Sequence, residues 1–378
     1  MGTRKITPVN RPSVPAHAKT YLSECVRSGW FSSEGPFVKR FENEFARYLG
    51  VKYAGVTSSG TAALHLALLA LGVGPGDEVI LPAMTIASCY FAIWYTGAKA
   101  VPVDVDPDTY CINPDVISRA ITKRTKVIMV VHLFGHPADM DPIMTLAKKH
   151  NLKVLEDAAE AHGAEYKGRK VGSIGDIAIF SFYANKIVTT GEGGMVVSNT
   201  KTYIDRVNKI KALNHSKIRF IHDGIGYTYL MSNMQAAVGL ASLEEIDRSI
   251  AKKRAMAALY HKHLSGVPGI ILPVEKPWAK NVYWMYAVCI NAKTRLISRN
   301  TIMDMLVKKY GIQTRTFFYA PGTAFRKLHM FHNADFPVSE KLEKIGLYLP
   351  SGLGNTPEEF VSSAKALGGL LKTTIKHT

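Results

Sequence analysis

The stretch from Asp176 to Ser198, DIAIFSFYANKIVTTGEGGMVVS, decides how this chain is read. Its first part, Asp176 to Phe182, has the apolar density of a short buried strand, and its last part, Gly194 to Val197, that of another. Between them Lys186 sits on a turn, followed by Thr189, Thr190 and the cluster Gly191, Glu192, Gly193, Gly194. Flanking strands fix the backbone of such a lysine, and glycines allow close approach. A lysine held in this way is suited to capture a cofactor aldehyde, because an amine attacks a carbonyl only when deprotonated and partial desolvation favours that form. The plain alternative is that Lys186 is one of 47 Lys and Arg residues and caps a turn, and spacing alone favours that alternative.

Upstream, Glu78 to Leu81, Ala100 to Asp104, Val127 to Val131 and Lys153 to Leu155 are short runs rich in Val, Ile and Leu, separated by helical stretches such as Asp141 to His150. This alternation predicts a largely parallel sheet flanked by helices, with a ligand at the C-terminal ends of the strands. Asp157 follows the fourth run. A carboxylate there can keep a pyridine nitrogen protonated, although a helix N-cap is the simpler role on position alone. Ser58-Ser59-Gly60-Thr61 opens an apolar helix from Ala62 to Leu71, and small residues at such a start leave amide N–H groups free for an anion. An ordinary N-cap satisfies the same pattern. Further upstream, Val14 to Gly50 reads as two helices joined by a loop through Gly29-Trp30-Phe31, with Phe37, Phe41 and Phe45 at helical spacing. Downstream, a helical stretch of about Asn233 to Leu264 leads to a strand at Val282 to Ile290, a helix at Ser298 to Tyr310 and a strand at Ile312 to Phe317.

At 378 residues and 47% hydrophobic content, the chain has the size of two folded domains. The N-terminal MGTRKITPVNRPSVPAH lacks the apolar core of a signal peptide, and no stretch has the length of a membrane span. A cytoplasmic protein without membrane contact is expected. Cys25, Cys89, Cys111 and Cys289 are scattered, which predicts reduced core residues and neither disulfides nor a metal site. The net charge of +17 is dispersed, without a dense basic run or interleaved aromatics. That argues against nucleic acid as partner and fits attraction of a nucleotide diphosphate. His132 and His136 flank Gly135 and titrate near neutrality as acid–base groups do, but are read as structural or as supporting the site from behind its lining.

SFYANK followed by TTGEGGMV resembles the lysine segment of the DegT/StrS nucleotide-sugar aminotransferases, which use pyridoxal 5′-phosphate (PLP). SGWFSSEGPFVKRFE from Ser28, SSGTAALHLALLALGVGPGDEVI from Ser58, HLFGHPADMDPI from His132 and EDAAEAHGA from Glu156 carry the same resemblance in the same order. It implies an α/β, type I PLP-dependent aminotransferase fold: a large PLP-binding domain with a mostly parallel sheet over 1–250, and a smaller C-terminal α+β domain over 251–378. It implies Lys186 as the catalytic, cofactor-bound lysine, Gly60, Thr61 and Ser181 at the cofactor phosphate, Asp157 at the pyridine nitrogen, and Glu160 near the phenolic oxygen. Met84 takes a position near the cofactor ring where an aromatic is usual, and offers only a polarizable surface. Trp30 and Phe31, and Arg315 with Tyr319 in a "TR" segment, would face the substrate. The segment around Thr228 resembles one that crosses to the other subunit of a homodimer with shared sites. Here Thr228 and Leu230 stand where Asn and Arg are usual. The substrates implied are L-glutamate and a GDP-linked 4-keto-6-deoxymannose aminated at C4. The alternatives are a UDP- or dTDP-linked 4-keto-6-deoxyglucose, or a regulator that binds without catalysis.

Overall fold

The computed structural model describes residues 6–218, 220–291, 297–331 and 334–373. Its centre is a seven-stranded sheet of β1 (Tyr53–Thr57), β2 (Glu78–Pro82), β3 (Lys99–Val103), β4 (Thr125–Val131), β5 (Lys153–Asp157), β6 (Ile177–Ser181) and β7 (Gly194–Ser198). In space the order is β1-β7-β6-β5-β4-β2-β3. Strands β3, β2, β4, β5 and β6 pair in parallel, while β7 runs antiparallel to both β6 and β1. Of the parallel strands, β2, β4, β5 and β6 are buried almost throughout, as their continuous apolar runs require when helices cover both faces, while β3 at the edge is only partly buried.

The spacing of Phe37, Phe41 and Phe45 becomes the inner face of the Pro36–Leu49 helix, and all three are buried. Phe41 and Phe45 meet Phe182 at ring-centre distances of 4.9 and 5.3 Å, and Phe45 meets Phe180 at 4.9 Å. The strand that leads into the lysine turn is thereby wedged against an early helix. Across the turn, Ser181 pairs with Gly194. A side chain at Gly194 would place its Cβ 2.4 Å from the Ser59 carbonyl oxygen, so glycine is what lets β7 lie against the start of the Gly60–Ala70 helix.

A second sheet of four strands, Ile270–Ile271, Tyr286–Ile290, Gly346–Leu349 and Arg315–Thr316 in that spatial order, forms the smaller α+β unit with the Arg299–Tyr310 and Pro357–Thr373 helices. The long Ile246–Leu264 helix belongs to both cores. Its Ile246 and Ile250 pack into the large one, and Met256, Ala257, Tyr260 and Leu264 into the small one. The expected boundary at 250/251 therefore falls inside a continuous helix. Residues 7–11 bond to the small unit, with Thr7 bridging Ile312 and the Val9 carbonyl accepting from Ser351 N–H.

Three elements differ from the expected spans. The helical stretch from Asn233 is two helices, Asn233–Leu243 and Ile246–Leu264, and at the break the Glu244 carboxylate bonds His17 and Tyr21 while Glu245 accepts from Ala16 N–H. The strand expected from Val282 starts at Tyr286, because Tyr283 adopts φ 47° and Val282 N–H bonds the Gly135 carbonyl. The strand expected over Ile312 to Phe317 shrinks to Arg315–Thr316, since Gly311 and Gln313 are taken up by Thr7. All four cysteines are free and buried. No helix among the described residues is long and apolar enough to cross a membrane.

Candidate active site

Strands β4, β5 and β6 end together, and beyond their C-terminal ends lies a cavity of about 390 Å³ roofed by Trp284, Arg315, Phe318 and Tyr348 of the small unit. Its floor carries Asp157 and Glu160, one wall carries Ser59, Gly60, Thr61, Ser88 and Ser181, and Lys186 projects from the turn after β6. This is where a parallel sheet offers open strand ends to a ligand.

The wall is built as an anion cradle. Ser59 caps the Gly60–Ala70 helix, its hydroxyl accepting from Ala62 N–H at 3.1 Å. The amides of Gly60 and Thr61 precede the first intrahelical bonds and have no helical acceptor. The Thr61 hydroxyl donates to Ser88 Oγ at 3.0 Å, which adds hydroxyls to the same corner. A Cβ on Gly60 would stand 2.8 Å from Ser181 Cβ, so the corner is open only because residue 60 is glycine. Amides, hydroxyls and the helix dipole together suit a phosphate dianion.

Asp157 is 2% exposed, with Oδ1 accepting from Ala159 N–H at 3.0 Å and Oδ2 from the Cys89 thiol at 3.2 Å. No helix begins in the turns after β5, so a helix N-cap is not its role. Burial pushes its carboxyl upward in the ligand-free chain, against the opposing pull of Ala159 N–H, Cys89 and Lys186. A cationic pyridinium would match that uncompensated charge.

Lys186 Nζ lies 3.6 Å from Glu160 Oε1 and 3.9 Å from the centre of the Trp284 ring. Burial lowers its ammonium below the usual lysine range, and the carboxylates of Glu160 and Asp157 resist the fall. Glu160 Oε2 accepts from Phe134 N–H at 2.9 Å, an approach made possible by the left-handed Phe134 backbone, φ 54°. Burial raises the Glu160 carboxyl to about 6 although Lys186 and Phe134 N–H pull it down. Behind this site His132 and Glu156 are fully buried. His132 Nδ1 accepts from Ala138 N–H, which leaves Nε2–H to donate to Glu156 at 3.1 Å. Both histidines flagged in the sequence are thus engaged with the protein, since His136 donates to the Pro137 carbonyl and accepts from Lys276 N–H.

Gly60, Thr61, Asp157, Glu160, Ser181, Lys186 and Arg315 are therefore brought to one cavity. Met84 is not among its lining. The Met84 side chain is fully buried in the hydrophobic core, and of this segment Thr85 and Ile86 reach the cavity. Tyr319 is also outside the lining, 46% exposed, and Phe318 takes its place. Trp30 and Phe31 have exposed side chains away from this chain's own cavity, on a loop whose carbonyls are held by Asn233. Thr228 is exposed and likewise away from it, between Tyr227 and Tyr229, whose rings stack at 5.0 Å. Trp284, Asn185, Ser88, Glu192 and Tyr348 line the cavity without having been singled out. Trp284 lies in the run Val282 to Ile290, which reads simply as strand. Among the described residues, no group of three or more His, Cys, Asp or Glu is placed to hold a metal.

A lysine on a β-turn beneath a phosphate cradle, with a carboxylate at the strand end opposite, is the arrangement of a PLP-dependent aminotransferase of fold type I. Residues 13–367 match the DegT/DnrJ/EryC1/StrS aminotransferase family, and the chain belongs to it. It is 44% identical over 351 residues to the GDP-perosamine synthase of Escherichia coli O157:H7, covering 92% of this chain and 93% of that protein. It is 39% identical over 368 residues to the GDP-perosamine synthase of Caulobacter vibrioides, covering 96% and 98%. Among solved structures it resembles the aminotransferase from Psychrobacter cryohalolentis with a TM-score of 0.90 and 31% identity, over 98% of this chain and 100% of that one.

Proposed function

We propose that this chain transfers an amino group from L-glutamate to C4 of GDP-4-keto-6-deoxymannose in the cytoplasm, giving GDP-perosamine for a surface polysaccharide such as O-antigen. The observation that carries the reading is the buried Lys186 amine, 3.6 Å from Glu160 at the mouth of a cavity that also holds Asp157 and the Gly60–Thr61 cradle. The names of the two synthases to which the chain is similar support the choice of sugar and nucleotide. A regulator without catalysis would have no need of a desolvated lysine in contact with the Glu160 carboxylate.

PLP, when bound, supplies an aldehyde that accepts the amino group and a ring that withdraws electrons from the carbon losing its proton. This chain's residues do the rest. Gly60 and Thr61 amides with the Ser181 hydroxyl would hold the phosphate, and Asp157 would keep a pyridine nitrogen protonated across a charge-assisted hydrogen bond. Lys186 would hold the aldehyde carbon and, when free, would move a proton on its Nζ between donor and acceptor carbons. Its lowered ammonium brings the neutral amine nearer to working pH. Glu160 accepts a hydrogen bond or a proton at the phenolic oxygen. Arg315 attracts a substrate carboxylate or phosphate, and the small unit above it excludes water from the reacting atoms.

The same reading places Trp30, Phe31 and Thr228 at the site of a second copy in a homodimer. Exposed apolar side chains at Leu213, Ile218, Ile221 and Ile225 beside Thr228 support a covered face there. Light scattering on the eluted protein tests the dimer. The function is tested by turnover of GDP-, UDP- and dTDP-linked 4-keto-6-deoxy sugars with L-glutamate. The GDP-mannose-type sugar should show the highest kcat/KM, and a higher value for a UDP- or dTDP-linked glucose-type sugar would overturn the substrate while leaving the transaminase.

A further inference from the structure

Trp284 is 4% exposed and stands where the two cores meet, its ring face towards Lys186. Three contacts fix it there. Its Nε1–H donates at 2.8 Å to the carbonyl of Asn185, the residue before Lys186, and that carbonyl also accepts from Asn10 Nδ2 at 3.1 Å. Its own carbonyl accepts from the buried Lys253 Nζ at 2.8 Å, and the same ammonium donates to the Ser351 carbonyl. Its main chain runs so close to Gly135 that a Cβ there would lie 2.8 Å from Trp284 N. Ring and lysine turn are thus tied to one another by short bonds, not merely adjacent.

The Lys186 amine is within reach of both the indole face, at 3.9 Å, and the Glu160 carboxylate, at 3.6 Å. An ammonium over an indole face is attracted by the ring quadrupole, most strongly where water is excluded. Amino transfer requires the lysine to leave the aldehyde carbon and later return to it, so the freed amine needs a fixed place within reach. We propose that Trp284 is a positioning residue whose indole face, with Glu160 opposite, is the station at which Lys186 rests as a free ammonium between the two halves of the reaction. This rests on Lys186 being the cofactor-bound lysine. The other titratable groups facing Lys186 are Asp157, Cys89, His162 and Lys253; of these only His162 carries a ring, and that ring is packed against Phe180 and Phe182. The ring holds the free amine protonated against the pull of burial, and its loss shifts the balance to the neutral amine.

The test is competitive labelling of the Lys186 amine by trace acetic anhydride across pH, read by mass spectrometry. It is applied to the full chain both stripped of PLP and loaded with PLP and treated with L-glutamate. In Trp284→Leu the titration midpoint of Lys186 should fall by about one pH unit, and in Trp284→Phe, which keeps a face, by less than half of that. Wild-type midpoints in Trp284→Leu would overturn the proposal. Where Trp284→Leu fails to fold, stepwise fluorinated tryptophans at 284 keep the shape and weaken the quadrupole. The midpoint should then fall with each fluorine, and a flat series overturns the station. Borohydride reduction and peptide mapping of the holoenzyme locate the cofactor on a lysine independently. Attachment elsewhere than Lys186 would end the underlying assignment, a result distinct from an unchanged titration.

Discussion

Asp157→Asn should separate catalysis from stability. In the ligand-free chain the Asp157 carboxyl is raised by burial, so the folded state holds its proton more tightly than the unfolded state does. By linkage such a group contributes most to stability at low pH and loses that contribution as pH rises from the unfolded midpoint through the folded one. At neutral pH the ionised carboxylate is therefore a cost that asparagine removes. Asparagine also keeps an oxygen for Ala159 N–H, now accepted at 3.0 Å, and gives up only the weak thiol bond from Cys89. The PLP-free variant should fall within about 1 kcal/mol of wild type, on the stable side if on either. Amine transfer should respond quite differently. A hydrogen bond to a charged group contributes roughly 1.5–3 kcal/mol, so its loss at the pyridine nitrogen slows the step by roughly 10- to 150-fold. Melting of the PLP-free chain and single-turnover rates with L-glutamate measure the two quantities on the same preparation. A fall in Tm of more than about 5 °C together with rates within twofold of wild type would refute the reasoning, and return Asp157 to a purely structural role.

Lys186→Ala should leave phosphate binding in place and lower turnover by roughly two to four orders of magnitude, since the positioned acid–base group is lost; steady-state rates near wild type would remove Lys186 from the mechanism. Gly194→Ala drives a Cβ to 2.4 Å from the Ser59 oxygen, and should cost about 1–3 kcal/mol while weakening PLP affinity through the displaced Gly60 corner, as melting and PLP titration will show. Glu160 has a folded midpoint of about 6, above the 4.5 of an unperturbed Glu, so its contribution to stability declines as pH rises through that window. In the PLP-free chain, Glu160→Gln should therefore gain on wild type by up to about 2 kcal/mol between those pH values, and a difference in Tm that does not change with pH would contradict it.

Much of the large domain was legible along the chain because its causes are local. Apolar runs ending at Leu155 and Phe182, phenylalanines at helical spacing from Phe37, and the small residues Ser59-Gly60-Thr61 before an apolar helix each carry their own structural consequence. Lys186 and Asp157 were placed by strand ends that such runs predict, and the choice between their plain and chemical roles came from resemblance to a family. Near Met84 the sequence marked a loop that reaches the cavity, but not which of its side chains line it. Which of three successive side chains enters a cavity depends on backbone direction after Pro82, and there Met84 went to the core while Thr85 and Ile86 lined the site.

The sequence by itself determined the strand and helix succession, the capped start of the Gly60–Ala70 helix and the glycine-flanked lysine turn, because each depends on residues a few positions apart. Only the tertiary structure decided that the long helical stretch breaks at Glu244 and Glu245, where His17 and Tyr21 return to bond the Glu244 carboxylate and Ala16 N–H that of Glu245. It alone brought Trp284 to Lys186 through a bond spanning 99 positions, and Arg315 and Tyr348 over the strand ends. The physical reason is that such contacts are chosen by how two cores dock along one shared helix, and nothing in the spacing of NVYWMYAV distinguishes an indole that packs in a strand from one that faces an ammonium.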